Sequence, residues 1–433
     1  MNPALRSFEA QWRARCADSL SAVRAQAMQR FLELGIPSVR DETWRYTDLR
    51  SLSGQNFVDA ARSTRADIEM AANPALLNDA DGAVTLALVD GYPMLPVGQV
   101  IEGVEVRTLR DMAGVDPEFL LRFIQPLSDA DLHRWSLLNA ALFVDGLYLK
   151  IGARVPKPLI ILHVSSGGAA NNAAYPRVII EASPGSCATI IEQRVTQGNN
   201  APLSNSDTHI VLGKGAELEH YRVFATAAGT THLDALDIRQ DRDSRCRQFT
   251  VALGGGLVRA TLEAHLNQAG AALESYSLLV GHEDRHVDCV NIVTHGAPDT
   301  RSRQTARAIA SDASRVIFNS KVIVSAGAVR SDSQQSCRGL LLSPAAEIDT
   351  RPQLEIHCDE VKCAHGATTG QLDEDMLFYM LSRGLDRETA QSLLVYAFLA
   401  DVLTGMSVGS ARAAIENALI AQLPDSQTLR KFR

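Results

Sequence analysis

"VIFNSKVIVSAGAVR", residues Val316 to Arg330, sets the texture of the middle of the chain. A run rich in Val and Ile gives way to a turn of small residues, and the next run follows directly. The pattern recurs from roughly Gly146 to Gly370. "LIILHV", "RVIIEA", "ATIIEQRV", "HIVLG", "ELEHYRVFA", "LESYSLLV", "LLLS" and "QLEIHC" all read as short strands between turn residues. The small-residue junction is repeated in "SPGSCA" at Ser183, "GKGAEL" at Gly213, "QAGAAL" at Gln268 and "SPAAEI" at Ser343. Gly, Ala and Pro at such points let the backbone bend sharply and let layers approach closely. No helix-length pattern separates the strands, which argues against a doubly wound α/β sheet. Repetition of this kind predicts a solenoid of stacked strands, each coil burying its inward face on the next. A β-sandwich is the rival that periodicity alone leaves open.

Helical spacing flanks this core on both sides. From Ala4 to about Leu34 the apolar positions Leu5, Phe8, Trp12, Cys16, Leu20, Val23, Met28, Phe31 and Leu32 predict an amphipathic helix or helical pair, closed by Gly35 to Pro37. After the polar "DETWRYTDLR", helical spacing returns in "DPEFLLRFIQPLSDADLHRWSLLNAALF", with Ser128 and Asp129 as caps for its second half. Near the C-terminus Asp373 is placed to cap one helix, Gly384 to end it as the C′ residue, and Asp386 to cap the next. The apolar side of that second helix (Leu393, Leu394, Tyr396, Phe398, Leu399, Val402, Leu403) either packs on the solenoid as a cap or is left for another subunit. The chain thus divides into a mainly helical region with linker (1–145), a strand solenoid (146–370) and a helical hairpin (371–433).

Bulk properties exclude several classes. A formal charge of −8, with no Lys/Arg run, makes nucleic acid a poor partner. The N-terminal "MNPALRSFEAQWRARCADSL" has no apolar segment of the secretory kind, and no uncharged apolar run approaches the ~20 residues of a membrane helix. "LLVYAFLADVL" is stopped by Asp401. Seven scattered cysteines, an odd count, do not form a disulfide framework and point to reduced thiols in a cytoplasm.

The chemistry concentrates in "KCAHGATTG", Lys362 to Gly370. In an extended strand Cys363 and His365 share a face, and thiolate and imidazole are both ligands for iron or zinc. A thiolate also accepts or donates sulfur when a cation lowers its pKa, and His365 is the nearest such influence. Two ligands from one strand do not close a site that wants about four. The remainder would come from His357 and Cys358 upstream, from Cys337 on an adjacent coil, or from a second polypeptide. The alternative is a Cys/His pair packed at a strand end without function. The C-x4-C-x-H spacing fits no standard zinc finger. "LGKGAEL" and "LGGGLVRA" are turns rather than phosphate loops, no G-x-S-x-G elbow occurs, and His282 and His286 in "GHEDRH" read as a solvated loop. The chain reads as a poor catalyst by itself.

"VKCAHGATTGQLDEDMLFYMLSRGL", preceded by "SDSQQSCRGLLLSPAAEIDTRPQLEI", closely resembles the SufB/SufD family of iron–sulfur cluster assembly proteins, as do "WRYTDL" at Trp44 and "LNAALFVDGLYLKI". The resemblance implies a right-handed parallel β-helix flanked by helices. It implies a SufB-like partner joined through the last strands and a SufC-like ABC-type ATPase held by the C-terminal helices, with a homodimer when the chain is isolated. It implies a transient iron–sulfur cluster or iron in the complex, with no cofactor held tightly by the isolated chain. Cys363 and His365 match the family's pair at the subunit seam, and Phe378, Tyr379, Arg383 and Gly384 match its ATPase-docking segment. Trp44, Arg45 and Tyr46 read as a structural junction. SufB-like chains carry Glu-His-Glu where this one has Ala364-His365-Gly366, which places it on the SufD side. The competing readings are a zinc-stabilised interaction module and a β-helix carbohydrate-active enzyme; the second sits poorly with 5% aromatic residues.

Overall fold

A computed structural model describes residues 2–15, 17–62, 82–95, 101–124, 133–166, 171–197 and 202–422. Cys16 and the expected caps Ser128 and Asp129 lie outside the described residues. The core is a parallel β-solenoid of about seven turns with helices at both ends of the sequence. Successive strands alternate between two sheets, so that Leu203–Leu212, Thr231–Gln240, Leu257–Leu266, His286–His295, Arg315–Val324 and Glu347–Ile356 stack in one. Cys187–Thr196, Glu217–Phe224, Arg245–Ala252, Ala272–Gly281, Arg301–Ala310, Asp332–Leu341 and Lys362–Gln371 stack in the other. Every pairing among these strands is parallel.

The repeated small-residue junctions are the corners of this solenoid. Gly185, Gly215, Gly270 and Gly327 all have positive φ there, and Asp243, Asp299 and Asp312 take the same left-handed conformation at other corners. Gly270 is held to glycine twice over: φ is +78°, and a Cβ would lie 2.1 Å from the Asp243 carboxylate in the corner beneath.

Stacking in register builds columns along the axis. One inward column runs Ala188, Leu218, Cys246, Leu273, Ser302, Ser333, Cys363, and the next runs Ile190, His220, Gln248, Ser275, Gln304, Gln335, His365. The first is largely apolar, but the second is polar along most of its length, so the interior is not a simple hydrocarbon core. Near the N-terminal side it contains a sealed charge cluster. Glu192 lies 2.7 Å from His163 Nε2 and 2.8 Å from His220 Nε2, Arg194 bridges to Asp234 at 2.5 Å, and Arg222 reaches Asp234 at 2.9 Å. Buried carboxylates and guanidinium groups survive there because each is paired.

The flanking helices pack on the outer faces of the solenoid. The expected N-terminal helical pair is Pro3–Arg13 and Ser21–Leu34. Its region joins the first sheet near Trp44, whose ring is stacked on the Arg259 guanidinium at 3.8 Å. Residues before 146 also contribute strands: Val84–Val89 runs parallel to Leu159–Ser165, and Val104–Thr108 runs antiparallel to Leu147–Ile151. At the other end of the sequence, Val395, Leu399, Val402 and Leu403 are buried against Tyr221, Phe249, Leu278 and Ile309 on the outer face of the second sheet. The broad apolar side of Arg387–Leu403 therefore covers the flank of the solenoid, with a third helix at Gly409–Ala421. It does not cap the solenoid's end.

Candidate functional site: the open terminal rung

The last rung is the only part of the solenoid core whose strands have no further coil stacked on them among the described residues. Lys362–Gln371 pairs with Asp332–Leu341 on one side alone, and Glu347–Ile356 with Arg315–Val324 on one side alone. Nearly every residue of Lys362–Gln371 is exposed, Cys363 being half-buried.

Parallel pairing sends alternate residues' backbone groups to opposite neighbours. Lys362 donates its N–H to Ser331 at 2.9 Å. Lys362, Ala364, Gly366, Thr368 and Gly370 therefore bond inward, and Cys363, His365, Ala367, Thr369 and Gln371 turn their N–H and C=O groups to the bare edge. In the other terminal strand Glu347 donates to Ser314 at 3.0 Å, so Pro352 falls on the outward-facing parity. A proline there removes a donor that no strand among the described residues uses, a device that blunts an edge. Lys362–Gln371 has no proline and is rich in Gly, Ala and Thr. It is the open one of the two edges.

Cys363 and His365 close the two inward columns. Cys363 sits over Ser333 and, like Leu354, Cys358 and Val361, packs against the apolar core, and His365 sits over Gln335 and is exposed. Burial pushes the Cys363 thiol above its ordinary pKa, the Ser333 backbone hydrogen bond opposes this, and Asp332 adds to it. The expected activation of Cys363 by a neighbouring cation is thus absent in the isolated chain, which holds a thiol at neutral pH. Cys337, one candidate for completing the site, is instead paired in register with Ala367 and sealed in the core, where burial raises its thiol to about 12. His357 is exposed and lies 3.0 Å from Glu355, which Lys321 also reaches at 2.7 Å. Among the described residues no three His, Cys, Asp or Glu side chains gather as a metal site.

The remaining sequence-predicted residues lie elsewhere. Phe378 and Tyr379 stand on Glu374–Ser382 with exposures of 72% and 55%, large for aromatic side chains. Arg383 is clamped to Tyr379, donating to its hydroxyl at 3.0 Å. Gly384 has φ +92°; its N–H reaches Leu381 at 3.0 Å and that of Leu385 reaches Met380 at 3.3 Å, the paired bonds of a Schellman ending. Asp373 and Asp386 cap the two helices as expected. Trp44 is buried at the junction with the solenoid, and Arg45 and Arg315 both flank the Tyr46 ring. The cation on Trp44 is Arg259, which sequence spacing did not nominate. His286 is not in a solvated loop; it begins a strand and lies 2.9 Å from Thr47 Oγ1.

Two family models cover nearly the whole chain: "SUF system FeS cluster assembly, SufBD core domain" over residues 163–398, and "SufBD protein N-terminal region" over residues 5–161. The chain is 30% identical over 385 residues to the iron–sulfur cluster assembly protein SufD of Escherichia coli, covering 87% of each. It is 27% identical to an iron–sulfur cluster assembly SufBD family protein of Synechocystis, with 89% of this chain and 87% of that one covered. It is 26% identical to a chloroplastic protein of Arabidopsis thaliana, ABCI7, over 89% of this chain and 82% of that one. With the solenoid, its flanking helices and both family regions in order, the chain belongs to the SufBD family of iron–sulfur cluster assembly proteins and is SufD-like.

Proposed function

We propose that this chain is a non-catalytic scaffold subunit in the cytoplasm, pairing through its open rung with a SufB-like chain. Cys363 and His365 then form part of a seam at which a nascent iron–sulfur cluster or its iron is held transiently as cargo. The observation that carries this reading is the bare ten-residue strand Lys362–Gln371, which bears half a coordination sphere and an unused row of backbone donors and acceptors. Strand addition from another chain would satisfy the backbone row and bring further ligands to the same place. In isolation the same edge would pair with its own copy.

The exposed Phe378 and Tyr379, stiffened by Arg383 and the Gly384 turn, are the docking point for a SufC-like ATPase. Two exposed aromatics beside an arginine are the composition of an interface anchor. Nucleotide chemistry would belong to that partner, since this chain has no phosphate loop. Bound metal would draw the proton from Cys363 and convert a resting thiol into a ligand only when the seam is loaded.

His365→Ala tests the reading. Co-expressed with SufB-like and SufC-like partners, the variant should fold and assemble normally yet form no cluster, read from the visible absorbance of the purified complex. Loss of the fold or of the complex would return His365 to a packing role.

A further inference from the structure

We infer that Cys358 is a second sulfur ligand at the open rung, forming with Cys363 a two-thiol chelate for a thiophilic metal ion. This rests on the reading of that rung as an iron–sulfur seam. Cys358 lies in the corner His357–Val361, five residues that do the work of the seven-residue corner Ser325–Ser331 beneath it. The Val361 N–H turns back to Asp359 at 3.1 Å and keeps the corner tight. Cys358, in that corner, and Cys363, second in the strand that follows it, both pack against the apolar core and are both half-buried. Cys246, Cys289 and Cys337 are sealed in the core, and Cys187 stands in a strand near the other end of the stack. Among the described residues, Cys358 and Cys363 are the two half-buried sulfurs of the terminal rung.

The surroundings favour a soft ion. The mouth of the column offers hydrocarbon from Leu354 and Val361, together with the two sulfurs, and thiolates on an apolar floor select iron, zinc or copper(I) over hard cations. Among the described residues no third ligand gathers beside them. Two thiolates with a partner's groups would complete the four that iron or zinc prefers.

The probe is phenylarsine oxide on the full chain without partners. Two S–As bonds form, two S–H bonds break, and the oxide oxygen leaves as water with both protons, arsenic staying trivalent. The expected result is one arsenic bridging Cys358 and Cys363, mapped by mass spectrometry, and its loss in Cys358→Ser and in Cys363→Ser. Cadmium affinity, followed by the ultraviolet sulfur-to-metal absorbance, should fall at least tenfold in each variant. If both thiols of the wild type alkylate freely after arsenical treatment and cadmium binding is unchanged by Cys358→Ser, the pair is refuted. That failure would leave the seam reading standing, because bridging needs no partner. An intact bridge with unimpaired cluster assembly in His365→Ala would instead remove the seam and spare the pair.

Discussion

The two ends of the solenoid are finished differently. At the N-terminal side each sheet closes in a short antiparallel strand, Val104–Thr108 on one and Tyr92–Met94 on the other, and the second is three residues long and carries Pro93. Short strands and prolines are how sheet edges are kept from pairing with other chains. At the C-terminal side two ten-residue strands end the stack, and only Glu347–Ile356 is blunted, by Pro352. The interior differs too: paired charges fill it near Glu192, whereas at the open mouth the inward columns end in Ser333 and Cys363 and in Gln335 and His365. One end is built to stop and the other to continue.

Acidification should act through the closed side and have the largest effect. Burial lowers His163 and His220, and lowers His232 to about 3. A histidine depressed in the fold is neutral there and takes up its proton on unfolding, so its stabilisation is present above the unfolded value of about 6.5 and is lost as pH falls. Burial would raise Glu192, but Arg194 and hydrogen bonds to His163 and His220 override it and hold the group well below the usual range. Its contribution is likewise lost toward acid. The melting temperature should therefore fall steeply from pH 7 to pH 4, and the amides of Glu217–Phe224 and Thr231–Gln240 should lose hydrogen-exchange protection along with the global fold. A flat profile over that range would mean that the cluster adds nothing to stability.

A pair of prolines separates the two faces of the last strand. Thr368 bonds inward, so Thr368→Pro removes a ladder bond within the chain and should destabilise it by about 1–3 kcal/mol. Ala367 faces outward. Ala367→Pro should leave the melting temperature nearly unchanged and yet abolish partner strand addition, measured as loss of the complex or homodimer in size-exclusion chromatography. Equal destabilisation by both would contradict the alternation derived from Lys362 and Ser331.

The solenoid was legible because its corners are repeated in the sequence and helical spacing is missing between them. Several strands were not. "THLDALDIRQ" carries charge on both faces, and "RSRQTARAIA" sets three arginines on one face against Ser302, Gln304 and alanines on the other, because the flanking helices and ion pairs cover the outside while polar side chains fill part of the inside. An alternation of apolar and polar residues is lost when both environments are mixed. Cys363 and His365 were legible from their shared strand parity and the family resemblance. The bareness of their edge was not, since whether a further coil stacks on a strand is decided by topology. Nor was the inert state of the Cys363 thiol, which follows from its burial and the backbone of Ser333.

The smallest expected effect on the fold belongs to the hairpin beside the open end. Phe378 is 72% exposed, so Phe378→Ser removes little buried surface and should shift stability by less than about 0.5 kcal/mol. Leu377, one residue earlier on the same helix, is 1% exposed. Two adjacent positions therefore separate folding from docking: Leu377→Ser should destabilise the hairpin without a specific defect, and Phe378→Ser should lower affinity for the SufC-like ATPase at least tenfold while the protein stays native. Isothermal titration with the purified ATPase reads the difference. Unchanged affinity in Phe378→Ser would move the docking point off this helix and leave the open rung as the better-supported interaction surface.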